Sequence, residues 1–215
     1  MTLTVAPVAP AAVPPVAVAR AAVPTELRIR DAALVCIGRF GLAKTTVDDI
    51  AREAGCSRAT LYRYFDGKPA IVRAAVGAEL ERVAGALVEA GRAAPTFADA
   101  VVAVVVCGAR ELRAHDALQF LLAHEPEAVL GHLAFVPGDR VLVAVGDAIA
   151  PAFDRWLSSD ESTRAGDWLA RVVRSYALMP DPPVDLTDPT AARAFLEALV
   201  VPGLVSPGHA ESRTR

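Results

Sequence analysis

Between Thr46 and Tyr64 the sequence carries two short helical signals separated only by Gly55-Cys56-Ser57. Thr46-Val47-Asp48-Asp49 has the form of a capping box, in which the N-cap hydroxyl covers a free amide of the first turn and an acid answers from N3. Val47, Ile50, Ala51 and Ala54 then fall on one face, and Gly55 ends the helix. Ser57 is the next N-cap, and the helix it opens runs through Leu61 to about Tyr64. So short a link cannot fold two helices back antiparallel. They must cross steeply, which is the geometry of a helix-turn-helix.

The flanking sequence agrees. Residues 26–40 repeat apolar side chains at Leu27, Ala32, Leu34, Val35 and Phe40, and Gly41 follows as a stop. Charge is uneven: from Thr25 to Val76 there are nine basic and six acidic residues, although the whole chain carries −3. A basic head on an acidic body points the head toward phosphate.

Beyond Pro69 the pattern is helical throughout, and the predicted fold class is all-α, a three-helix head on a larger helical body. Helices are expected over about Pro69–Glu89, Thr96–Arg113, Ala117–Ala123, Pro126–Ala134, Asp139–Leu157, Ser162–Leu178 and Pro189–Val201, with a proline-rich loop from Met179 to Asp188. The Val-rich segment 101–106 has a strand's composition, but its helical spacing continues through Leu112 and favours helix. The expected divisions are an Ala/Pro-rich arm (1–24), a helix-turn-helix head (25–70), a helical body (71–204) and a tail (205–215).

The longest uninterrupted apolar run, Ala100 to Ala109, is ten residues. A membrane-spanning helix needs about 18 to 20. Prolines 7, 10, 14, 15 and 24 break up the arm, which therefore does not read as a secretory signal. Cys36, Cys56 and Cys107 are odd in number and widely spaced, suggesting neither disulfides nor a zinc site. His124 and His132 are eight apart, too far for a helical metal pair. The expectation is a soluble, cytoplasmic chain without metal, cofactor or membrane partner. It shows no nucleophile elbow, no phosphate-cradling glycine loop and no paired carboxylates, so no catalytic residue is assigned.

The segment from Arg28 to Val72 resembles the DNA-binding head of the TetR family of bacterial regulators. The shared features are the glycine after the first helix, the Thr45-Thr46 pair, Ile50-Ala51, the turn at Gly55, and Thr60-Leu61-Tyr62-x-Tyr64-Phe65-x-x-Lys68. The spacing of Leu61 and Phe65 would pin the third helix to the core, with Ile50 helping from the second. Arg58, Ala59, Thr60, Tyr62, Arg63 and Tyr64 then face outward. Arg58 lies at the start of that helix, where a guanidinium reaches guanine O6 and N7. Ala59 and Thr60 are small enough to meet a thymine methyl, and Arg63 suits base or backbone. The resemblance implies phosphate contacts for Tyr62, Tyr64 and Lys68, and Thr46 offers phosphate a hydroxyl and free amides. Ser57, at the start of the third helix, is counted with them as a DNA contact. Thr46 and Ser57 also read as caps with no further role, and Tyr64 as a half-buried core tyrosine. Asp48, near the same face, should repel phosphate, and no role is transferred to it.

In the body, Val145, Ile149, Phe153 and Trp156 form one apolar stripe and Leu169, Val172, Val173 and Tyr176 another. The resemblance implies that these two helices pair with their mates in a homodimer, although such faces also suit burial within one chain. Val101, Val104, Val105, Leu112 and Phe120, with His115, Gln119 and His124 as polar anchors, are the expected lining of a pocket for a small hydrophobic effector. The implied function is a dimeric repressor that clamps a palindromic operator on double-stranded DNA and is released by its effector. Two other readings stay open: an effector-independent or activating regulator, and a small-molecule carrier with a vestigial head.

Overall fold

The computed structural model describes residues 23–128, 140–177, 179 and 182–204. The arm, the tail and most of the helix expected over Pro126–Ala134 lie outside these residues, as does His132. Every regular element among the described residues is helical. In order they are α1 (Thr25–Lys44), α2 (Val47–Glu53), α3 (Arg58–Tyr64), α4 (Gly67–Ala93), α5 (Phe97–Ala114), α6 (Asp116–His124), α7 (Arg140–Ile149), α8 (Ser159–Ala177), α9 (Pro189–Leu199) and α10 (Val201–Leu204). No described helix is long and apolar enough to cross a membrane.

Two cores form. The head closes around Ile29, Ala33, Ile50, Leu61 and Ile71, all fully buried, from α1, α2, α3 and the start of α4. The body closes around Val101, Val105, Phe153, Leu169 and Leu196 from α5, the segment after α7, α8 and α9. Helix α4 joins them: Ile71 and Ala75 seal the head, while Ala84 and Leu87 enter the body. The expected division at residue 70 thus falls within a continuous helix. The Val-rich segment is helical, as its spacing predicts. Its β-branched side chains are poor helix formers, but burying Val101, Val104 and Val105 almost completely outweighs that preference.

Helix α7 stops at Ile149 rather than running to Leu157 as expected. A 3-10 turn over Ala150–Ala152 takes over, because Pro151 lacks an amide hydrogen and its ring crowds the preceding turn. The next helix begins at Ser159, three residues before its expected start. Glu161 sets that start by accepting from both the amide and the hydroxyl of Ser158, at 3.0 and 2.7 Å. Helices α7 and α8 touch backbone to backbone where Gly146 faces Gly166. A Cβ on Gly146 would lie 2.7 Å from the Asp167 amide nitrogen, so only glycine permits this approach.

Candidate DNA interface

The helix-turn-helix is built from α2 and α3, and local chemistry fixes each end. Thr46 caps α2 in a complete capping box: its hydroxyl accepts from the Asp49 amide at 3.2 Å, and the Asp49 carboxylate accepts from the Thr46 amide at 3.1 Å. The Thr46 hydroxyl also donates to Asp49 at 2.5 Å. These bonds to Thr46, with the Arg52 guanidinium adding to them, hold the Asp49 carboxyl below its ordinary range. Ser57 caps α3 by accepting from the Thr60 amide at 3.0 Å, and the two hydroxyls lie 2.9 Å apart.

The turn between the helices has a feature that the motif alone does not reveal. Gly55 adopts φ 62°, and the Arg28 guanidinium reaches across from α1 to donate to the carbonyls of Ala54 and Gly55, the latter at 2.9 Å. Arg28 therefore satisfies carbonyls that end α2 and ties the turn to the first helix. By sequence it is one basic residue among nine. Its neighbour Ile29 is fully buried, and only the fold places a long cation opposite the turn.

With Leu61 and Phe65 buried, α3 presents its remaining side chains to solvent. Arg58, Ala59, Tyr62, Arg63 and Tyr64 are exposed, and Thr60 is half-buried. Tyr64 is 44% exposed, so it is not a core residue. Arg58 and Arg63 each lie over a tyrosine, with the guanidinium carbon 5.6 Å from the Tyr62 ring centre and 5.4 Å from that of Tyr64. Arg58 also donates to both carboxylate oxygens of Asp48 on α2, at 3.1 and 3.2 Å, and reaches the Tyr62 hydroxyl at 3.5 Å. The Tyr62 hydroxyl and the Asp48 charge push the Arg58 pKa up, so the group stays cationic.

Lys68 turns inward to cap α1. Its ammonium donates to the carbonyls of Leu42 and Ala43 at 2.5 and 3.5 Å. The same turn is held from the body, where the Glu125 carboxylate, just past α6, accepts from the Ala43 amide at 3.1 Å. Phe120 of α6 packs against Gly41, and the Phe120 and His124 rings stack 4.4 Å apart. Head and body thus meet at residues 41–45.

The expected pocket lining does not come together. Val101, Val104 and Val105 are sealed in the body core, and Leu112 packs against it. His115 caps α6 through Nδ1, which accepts from the Leu118 amide at 3.1 Å, while Phe120 and His124 lie toward α1. Gln119 lines a cavity of about 540 Å³ bounded also by Arg113, Leu122, Val173, Tyr176 and Leu186, while Phe120 borders a separate, smaller recess beside Arg39 and Lys44. Of the eight residues expected between subunits, four are buried within one chain and four remain half-exposed. Ile149, Phe153, Leu169 and Val173 are core, and Val145, Trp156, Val172 and Tyr176 pack against it. The outward face of α7 and α8 carries Val143 and Trp168, 48% and 43% exposed. Apolar periodicity reports burial but not which chain provides it.

Comparison with known proteins agrees with this geometry. A family model described as bacterial regulatory proteins, tetR family, matches residues 29–75. Uncharacterized HTH-type transcriptional regulators from two strains of Mycobacterium tuberculosis are each 31% identical over 195 residues, covering 88% of this chain and 91% of the relative. Among solved structures, the TetR family repressor AlkX from Dietzia sp., implicated in biodegradation of n-alkanes, superposes with TM-score 0.65 at 20% identity, over 83% of this chain and 94% of that one. A TetR-family regulator from Pectobacterium atrosepticum superposes with TM-score 0.59 at 15% identity, over 84% and 94%. With an exposed helix-turn-helix on a helical body and relatives that span nearly its whole length, the chain belongs to the TetR family of bacterial DNA-binding transcriptional regulators.

Proposed function

We propose that the chain is a homodimeric repressor that clamps a palindromic operator and is released by a small, largely apolar effector. The observation that carries this reading is the surface of α3. Two arginines and two tyrosines stand exposed on a helix whose other side is locked into the core. Buried Leu61 fixes the helix, Ser57 caps it and Arg28 fixes the turn before it, so Arg58 is presented on a rigid support for a guanine edge. Tyr62, Arg63 and Tyr64 suit adjacent phosphates or bases, and Ala59 and Thr60 allow close approach. Lys68 and Thr46 support the reading indirectly: Lys68 holds the turn that leads into α2, and Thr46 starts α2.

One such short helix reads only a few base pairs, and two half-sites about 34 Å apart would supply the remaining affinity and specificity. The exposed Val143 and Trp168 on α7 and α8 are the surface assigned to the second subunit. The cavity supports the effector. Gln119 lines it from α6, and the next residue, Phe120, packs against Gly41 in the head. A ligand that moved α6 would move the turn preceding α2. A coupling of about 1–3 kcal/mol suffices for such control.

The test is titration of an operator-bound sample with candidate apolar ligands, read by fluorescence anisotropy. Release of operator by at least one ligand, with loss of that response when Tyr176 is replaced by Ala, is the expected result. Operator affinity unmoved by every ligand that binds the protein would overturn the effector reading and leave an effector-independent regulator.

A further inference from the structure

The acid on the DNA-facing surface demands a reason. Asp48 is exposed in the first turn of α2, where phosphate would be repelled, yet its carboxylate takes both of its hydrogen bonds from Arg58. The side chains remain 57% and 59% exposed, so this pair contributes little to stability. What it does contribute is direction. An arginine has a long, rotamer-rich side chain, and reading guanine bidentately requires its planar fork to be held in register. Asp48 holds the Nη1 side of that fork, while the Tyr62 ring lies under it at 5.6 Å and the Tyr62 hydroxyl meets Nη2. Three groups on two helices thus define where the guanidinium points.

The geometry points to Asp48 as the positioning residue that sets base specificity, resting on the proposed role of Arg58 in reading guanine. It acts in two ways. It orients Arg58 toward one base edge, and by engaging that guanidinium it withholds the cation from phosphates, the contacts that dominate binding to random DNA. Both effects widen the gap between specific and random DNA.

The experiment compares wild type, Asp48→Ala, Asp48→Asn and Arg58→Ala, all full-length, by selection from random duplexes and by affinity for a non-selected duplex. Wild type should enrich one guanine position per half-site. Asp48→Ala should flatten that position by on the order of tenfold while binding random DNA more tightly. Asp48→Asn, which keeps an acceptor for Arg58 but no charge, should restore part of the guanine preference while random binding stays raised. A purely structural role at the start of α2 would move melting temperature and leave base preference alone. An unchanged guanine position in Asp48→Ala, beside its loss in Arg58→Ala, would overturn the role of Asp48 and leave Arg58 as the reader. Retention of that position in Arg58→Ala would overturn the reading of Arg58 itself.

Discussion

Head and body are both helical and both rich in alanine, yet they relate to their sequences in opposite ways. In the head, function depends on residues whose chemistry is local. Thr46, Asp49, Ser57 and Gly55 act on backbone groups within a few positions of themselves, and their spacing is visible in the chain. In the body, each important apolar residue acts through a partner distant in sequence, as when Phe97 meets Phe153 edge-on at 6.1 Å and Tyr176 meets Phe195 at 5.4 Å. The lesson is that a pattern of buried positions says how much surface is covered, whereas a pattern of caps and turns says where the chain goes.

The largest expected effect tests the body's side of this contrast. Phe153 is fully buried within one chain, so Phe153→Ala should destabilise by about 3–5 kcal/mol. Thermal melts should show a loss that does not vary with protein concentration. A melting temperature that fell only on dilution would return Phe153 to the subunit interface. The complementary substitution is Trp168→Glu on the outward face of α8. It should leave the monomer folded and raise the dimer dissociation constant by about tenfold or more. Sedimentation of both variants separates core from interface.

A smaller effect probes the head. Removing the N-cap hydroxyl in Thr46→Ala should cost about 1 kcal/mol, read from denaturant midpoints at constant slope. The smallest is a pH effect at the same cap. The Asp49 carboxyl is held below its ordinary value of 3.8, so its contribution is fully present above that value and disappears as pH falls through the lowered one. Wild type should therefore lose stability in this acid range more steeply than Asp49→Asn. Parallel curves would show that the capping carboxylate gains nothing from folding.

Much of the fold was legible beforehand. The order of helices, the caps of α2 and α3 and the helical state of the Val-rich segment all follow from spacing. What was not legible shares one physical cause. Arg28 looks like any basic residue until the fold sets it against the Gly55 turn, and Lys68 until it reaches the end of α1. Asp48 and Arg58 are ten positions apart on different helices, so their pairing depends on the crossing angle and not on either helix alone. The expected pocket failed for the same reason. Val101, Val104 and Val105 suit a binding cavity or a core equally well, and only the partners brought by α4, α8 and α9 close the space around them. The end of α7 was the exception: Pro151 is a stop signal in the sequence, yet the helix was expected to run through it to Leu157.

The central claim is that α3 reads DNA sequence through Arg58 in a two-fold assembly. The most direct test selects wild-type and Arg58→Ala protein against random duplexes, then measures affinity for the enriched DNA across salt concentrations. Two inverted half-sites one helical turn apart are expected, with binding that weakens steeply with salt and a guanine preference reduced by about 1–3 kcal/mol in the variant. Flat enrichment, or an operator that Arg58→Ala binds with unchanged preference, would contradict the claim.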